Sequence, residues 1–182
     1  DPVRYLGNRS SGRMGAALAR VFALRGASVA LVAGVMEVMP PPGVEVVKVE
    51  STAEMASAVL ARAKEATIVV MAGAPADFRP VEARPRKIKR EGTDSLVLEL
   101  VPTQDIAAAV GAGKRPGQLL VVFAAETEAL LANAREKLAR KSADLVVAND
   151  VTEEGSGFGA ETNKVHLLTH SQTVSLPLLP KE

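Results

Sequence analysis

Apolar and polar positions change period several times along the chain. Over residues 11–25, Met14, Leu18, Val21, Phe22 and Leu24 recur near helical spacing, and Gly26 follows where a helix-terminating glycine belongs. Residues 28–34 then run apolar to Gly34, as a buried strand does. Pro40, Pro41, Pro42 and Gly43 mark a loop, because successive prolines supply no backbone donors. Residues 44–49 read as a second strand. Ser51 and Glu54 form a capping-box pattern before a helix reaching Lys64. An apolar strand over 66–72 runs into Gly73, Ala74, Pro75, Ala76, Asp77 and Phe78. Residues 79–93, rich in Pro, Arg and Lys with no apolar period, predict a mobile basic loop, and 95–100 alternates like a strand. A helix from Asp105, strands over 119–123 and 144–149, and a helix over about 128–141 between them complete the alternation. The tail predicts a hairpin of 164–169 and 173–178 on the sheet edge.

Alternating helix and strand imply βαβ crossovers: an α/β, Rossmann-like, mostly parallel sheet with helices on both faces, plus the C-terminal hairpin and the basic loop. At 182 residues the chain fits one domain, 1–182, and its start at Asp1 and end at Glu182 read as trimmed at both ends. The aromatic share of 3% leaves the core to Val, Leu, Ala and Ile. Lys and Arg number 22 against 21 Asp and Glu, which argues against a nucleic-acid coat or membrane-surface role, so any attraction for anions is local. The absence of cysteine removes disulfides, thiolate metal sites and thiol nucleophiles. No apolar run reaches membrane-spanning length, and a soluble cytoplasmic protein is the expectation.

In such a sheet ligands bind beyond the carboxyl ends of the strands. Gly73 to Phe78, the run Phe123, Ala124, Ala125, Glu126, Thr127, and the run Ala148, Asn149, Asp150 all fall there. Their small residues would let a base or ribose approach the backbone, or merely permit tight turns. Arg84, Arg86, Lys87, Lys89 and Arg90 put five cations within seven residues, a solvated surface or a cover for a triphosphate. Lys137 and Lys141 share a helix face, where like charges repel unless an anion lies between them. Gly7, Gly12 and Gly15 match the dinucleotide fingerprint poorly: no strand precedes them and no acid ends the second strand. Asn8, Ser10 and Ser11 offer amide and hydroxyl groups at a helix start, to cap it or to polarise a phosphate or carboxyl group. His166 and His170, on strand and turn, make no metal site.

The motifs RYLGNRSSGRMG at 4–15, ADFRP at 76–80, KIK at 87–89, FAAET at 123–127 and ANDV at 148–151 occur in the order and near the spacing of phosphopantothenoylcysteine synthetase, which this chain resembles over nearly its whole length. The resemblance implies a ligase of coenzyme A biosynthesis, often fused behind a flavin-dependent phosphopantothenoylcysteine decarboxylase. The carboxylate of 4'-phosphopantothenate would attack the α-phosphate of CTP, giving an acyl-cytidylate and pyrophosphate; the amine of cysteine would then displace CMP. It further implies Asn8 as the residue of the second step and Lys87 as the loop lysine on the triphosphate. Gly73, Ala74, Asp77, Lys87, Thr103, Asp105, Phe123, Lys137 and Lys141 fall at the CTP site, and Arg4, Asn8 and Ala74 at the phosphopantothenate site. Magnesium would arrive with the nucleotide phosphates, and a homodimer would complete the site.

Two stretches depart from the family pattern. Pro102, Thr103, Gln104 and Asp105 stand where relatives carry Lys-Asn-Pro-Asp or Lys-Thr-Pro-Asp, and Gly73, Ala74, Pro75 and Ala76 replace Ala-Ala-Val-Ala. The family's first strand is expected upstream of Asp1. Rival readings are an NAD(P)-dependent reductase, which lacks the second-strand acid and a Tyr-x-x-x-Lys pair here, and a nucleotide-binding module without catalysis.

Overall fold

The computed structural model describes residues 1–90, 95–153, 155, 156 and 160–181. The first expected helix forms as α1 (Arg13–Leu24). It closes because Gly26 adopts φ 86°, so that its N–H reaches the Ala23 carbonyl at 2.9 Å and the Ala27 N–H reaches that of Phe22 at 3.0 Å. β1 (Ala30–Ala33) and β2 (Glu45–Lys48) pair in parallel. α2 (Thr52–Ala63) starts where the Ser51 hydroxyl accepts the Glu54 N–H at 3.2 Å. The Glu54 carboxylate accepts the Glu50 N–H at 2.9 Å, so the box closes one residue further back than its pattern predicts.

After β3 (Ile68–Met71) the chain departs from expectation. The segment foreseen as loop from residue 79 onward begins in β4 (Phe78–Pro80), which pairs antiparallel with β5 (Leu100–Pro102); residues 91–93 lie outside the described ones. Of the strand foreseen over 95–100, only Leu100 belongs to one. Leu96, Val97 and Leu98 are 53%, 87% and 53% exposed. Alternation marks a strand only where a ladder and a buried face are both on offer; residues 95–99 are all exposed, although the Glu99 carbonyl accepts the Val81 N–H at 3.0 Å.

α3 (Ile106–Ala112), β6 (Leu119–Glu126), α4 (Leu130–Arg140) and β7 (Leu145–Asp150) follow as foreseen, β6 running three residues longer. The tail holds β8 (Thr162–Asn163), β9 (His166–Leu168), β10 (Thr173–Ser175) and β11 (Leu179–Pro180). β9 and β10 form the expected edge hairpin, while β8 and β11 make a second short pair that no pattern announces. The main sheet runs β10-β9-β7-β6-β3, with β3, β6 and β7 parallel. The expected α/β architecture is thus present, with β1 and β2 as a separate parallel pair.

Along β6, Leu120, Val122 and Ala124 alternate into the core and meet Val146 and Ala148 of β7 and Leu168 of β9. Ala107 and Val110 of α3 and Ala134 and Leu138 of α4 cover them, with Val59, Leu60 and Ala63 of α2 at the margin. Small residues let these helices close in, so the core needs few aromatics. Polar ties hold its floor. Gln118 donates to the carbonyls of Ala63 and Ala66, both at 2.7 Å. Asp144 accepts Lys114 Nζ at 2.8 Å and the Leu120 N–H at 2.7 Å.

The tightest approach is at Gly111, buried in α3. A Cβ there would lie 1.9 Å from the Lys141 carbonyl oxygen. Gly111→Ala must push α3 off the end of α4, and a loss of roughly 3 kcal/mol is expected. Urea unfolding would show it as a lower midpoint at unchanged slope.

Candidate functional site

Because β3, β6 and β7 are parallel neighbours, their carboxyl ends lie side by side, with Glu126 opposite Asp150. The segment from Gly73 to Asp77 leaves β3 at this edge. Thr103, just after β5, holds it: its N–H donates to the Asp77 carbonyl at 2.8 Å and its hydroxyl to that of Ala76 at 2.7 Å. The Thr103 hydroxyl therefore has a structural partner, and what it shapes is the loop expected to receive the nucleotide. Phe123 sits on β6 between the core-facing Val122 and Ala124, so its ring projects from the opposite face.

α4 runs back from the carboxyl edge, and side chains on a helix lean toward its N-terminus. Lys141, at the far end of α4, accordingly sends a buried stem along the helix toward the edge, where its ammonium ion-pairs with Asp105. Asp105 also caps α3, accepting the Ala108 N–H at 3.0 Å. Lys137, one turn earlier, reaches Glu126 Oε1 at 3.2 Å, and Asn133 Nδ2 donates to Glu126 Oε2 at 3.1 Å. Each lysine thus has its own carboxylate. Their spacing alone no longer calls for an anion between them.

The N-terminal segment enters the site without regular structure up to α1. Asn8 Nδ2 donates to the Pro75 carbonyl at 3.0 Å, fastening this segment to the loop after β3. Arg4 Nη2 donates to the Ile88 carbonyl at 2.6 Å, fastening it to the basic loop. Gly12 occupies the N-cap position of α1 at φ 75°, where a Cβ would strike Met36 at 2.8 Å, and the Ser11 hydroxyl accepts the Arg13 N–H at 3.5 Å. The capping alternative for the serines therefore holds for Ser11 alone, through this one long bond. Arg84, Arg86 and Lys87 line an open hollow with Ile88 and Leu96. The structure thus fastens Arg4 to the basic loop and Asn8 to the loop carrying Ala74 and Asp77, and brings Lys137 on α4 and Lys141 at its C-cap to Glu126 and to Asp105 at the start of α3. Sequence reasoning gave no role to Asp1 or to Glu126. Asp1 reaches Ile88, 87 residues on, and Glu126 reaches Lys137, eleven residues on, where no spacing rule points.

The family model described as DNA/pantothenate metabolism flavoprotein C-terminal domain matches residues 1–182. The chain belongs to this family. Among its relatives, the coenzyme A biosynthesis bifunctional protein CoaBC of Escherichia coli (strain K12) is 42% identical over 184 residues, 100% of this chain and 45% of that protein. A cysteine/cysteine sulfinic acid decarboxylase of an unknown prokaryotic organism is 44% identical over 175 residues, 96% of this chain and 48% of that protein. The crystal structure of the C-terminal domain of a CoaBC superposes with a TM-score of 0.82 at 37% identity, covering 100% of this chain and 81% of that one. The chain spans about half the length of the curated relatives it matches. The family resemblance carried by the motifs is borne out.

Burial pushes the Asp105 carboxyl up, but the Lys141 ammonium and the Ala108 N–H outweigh it and hold the group below the ordinary range. Asp144 is held low in the same way, burial being outweighed by Lys114 and the Leu120 N–H. A depressed carboxylate stabilises the fold fully above its unfolded value of about 3.9, and that stability is lost as pH falls through the lower folded value. Thermal midpoints should therefore drop between about pH 5 and 2. Asp105→Asn, less stable at neutral pH, should show a shallower acid slope than the parent.

Proposed function

We propose that this chain is a CTP-dependent phosphopantothenate–cysteine ligase of coenzyme A biosynthesis, acting in the cytoplasm. The observation that carries the reading is the contact of Asn8 with Pro75. It brings the amide of the NRSSG segment against the Gly73–Asp77 loop at the carboxyl edge, where an α/β sheet receives a nucleotide.

A carboxylate is a poor electrophile, so activation comes first. Its oxygen forms a bond to the α-phosphorus of CTP and the bond to pyrophosphate breaks. The cysteine amine then adds to the acyl carbon, loses a proton, and CMP departs with the bonding pair. Negative charge gathers on the acyl oxygen in this second step. One Asn8 N–H is spent on Pro75, which fixes the amide plane; the other is left to donate to that oxygen. Arg4 stays half exposed while anchored, suiting a phosphate contact. Lys87, Lys137 and Lys141 would face the triphosphate, the last two exchanging carboxylate for phosphate oxygens. Magnesium fits as an ion carried by the nucleotide: Asp105 and Glu126 are engaged by lysines, and Asp77 is a carboxylate at this edge whose side chain bonds to none of the described residues. Leu96, Val97 and Leu98, exposed beside the basic loop, offer an apolar surface to a second copy in a homodimer.

The decarboxylase relative leaves about half of its chain outside the match. Its decarboxylase activity therefore has room elsewhere, and a fused decarboxylase half is part of this proposal.

Pyrophosphate release by the full-length protein from CTP and magnesium should require 4'-phosphopantothenate, with CMP and the amide product appearing once cysteine is added. CTP binding without release would replace the ligase with a nucleotide-binding module. Asn8→Asp should keep pyrophosphate release within a few-fold of the parent while slowing amide formation by roughly 10²–10³. Lys87→Gln should raise the KM for CTP in the first half-reaction; an unchanged value would return the basic loop to solvated surface.

A further inference from the structure

Asp1 makes more contacts than its place at the start of the chain would announce. Its side chain is 2% exposed. Oδ1 accepts the N–H groups of Val3 and Arg4, both at 3.0 Å, closing a local turn. Oδ2 has different work: it accepts Arg4 Nε at 3.1 Å, Arg4 Nη2 at 2.7 Å and the Ile88 N–H at 3.2 Å. Arg4 Nη2 donates in turn to the Ile88 carbonyl. Both backbone groups of Ile88 are therefore held, the donor by Asp1 and the acceptor by Arg4. Lys87 is the residue immediately before it.

We infer that Asp1 is a positioning residue, which with Arg4 clamps Ile88 and so fixes where Lys87 stands relative to the Arg4–Asn8 segment. The inference rests on the ligase reading for what Lys87 touches, and on geometry alone for the clamp. In chemical terms it joins the two substrates. Arg4, assigned to one phosphate, is held by the same carboxylate that holds the backbone beside Lys87, assigned to another. A loop with five cations in seven residues repels itself, and a single carboxylate drawn into it offsets that repulsion at one defined place.

The division of labour between the two oxygens makes the idea testable without unfolding the turn. Asp1→Asn keeps an oxygen for Val3 and Arg4 but sets an amide donor against three other donors, releasing Ile88. Trypsin cleavage after Arg86, Lys87, Lys89 and Arg90 in the full-length protein reports the loop directly, because cleavage follows the open population. We expect Asp1→Asn to speed that cleavage by roughly tenfold at an unchanged thermal midpoint. In pyrophosphate release it should raise the KM for CTP with kcat little changed. On a Lys87→Gln background the same change should alter KM by less than about twofold, since residues that act through one another are not additive. Unchanged cleavage, or a KM effect that adds in full to that of Lys87→Gln, would overturn the proposal. Faster cleavage in a protein whose parent releases no pyrophosphate would remove the ligase reading and leave the clamp standing.

Discussion

The approach of α3 to the end of α4 is the constraint on which both core and site depend. Gly111 lets the two backbones touch at the Lys141 carbonyl, and that contact sets the distance over which the Lys141 side chain must reach Asp105. Ala107 and Val110 share the core with Ala134 and Leu138. An extra methyl at residue 111 would widen the gap, loosen the alanine-rich layer and withdraw a lysine from the carboxyl edge. Packing density here works as a positioning device, because a close-packed interior transmits a displacement.

The other half of the site is held differently. Residues 1–11 form neither helix nor strand and lie mostly exposed, so burial does little to order them. Their order comes from side chains reaching neighbouring backbone: Asp1 and Arg4 to Ile88, and Asn8 to Pro75. Charge-assisted bonds to backbone groups are stronger and more directional than neutral ones. They place a segment without requiring it to join a sheet. A site with one wall fixed by packing and the other pinned by a few polar bonds can admit substrates along the second wall.

The parts of the fold readable from sequence were those with a short-range cause. The valine runs of β6 and β7 are buried strands because they lie inside a parallel sheet, and Gly26 ends α1 through a closure local to six residues, Phe22 to Ala27. The pairing of Phe78–Pro80 with Leu100–Pro102 has no such cause. Both strands are three residues long, both contain proline, and nothing in either names a partner about twenty residues away. Residues 95–99 fail the opposite way, since their alternation is strand-like but neither face is buried. For the site, small residues at strand ends and the basic run were visible as candidates. The carboxylates that govern them were not: Glu126 serves a lysine eleven residues on and Asp1 a backbone 87 residues on.

Charge distribution follows from these placements. With a formal net charge of +1 the protein exerts no strong overall field, and its cations fall into two classes. Lys137 and Lys141 are neutralised internally by carboxylates already partly withdrawn from water. A phosphate group approaching them displaces a carboxylate rather than a water shell, so the exchange is nearly balanced and rewards an anion that brings more than one oxygen. The basic loop is the reverse case: Arg84, Arg86 and Lys87 line an open hollow, and their mutual repulsion is relieved by any anion that arrives. Capture would then fall to the loop and selection to the α4 lysines. On the proposed reading, Asp1 ties the basic loop to the N-terminal segment, so the loop would attract an anion and still deliver it to a fixed place.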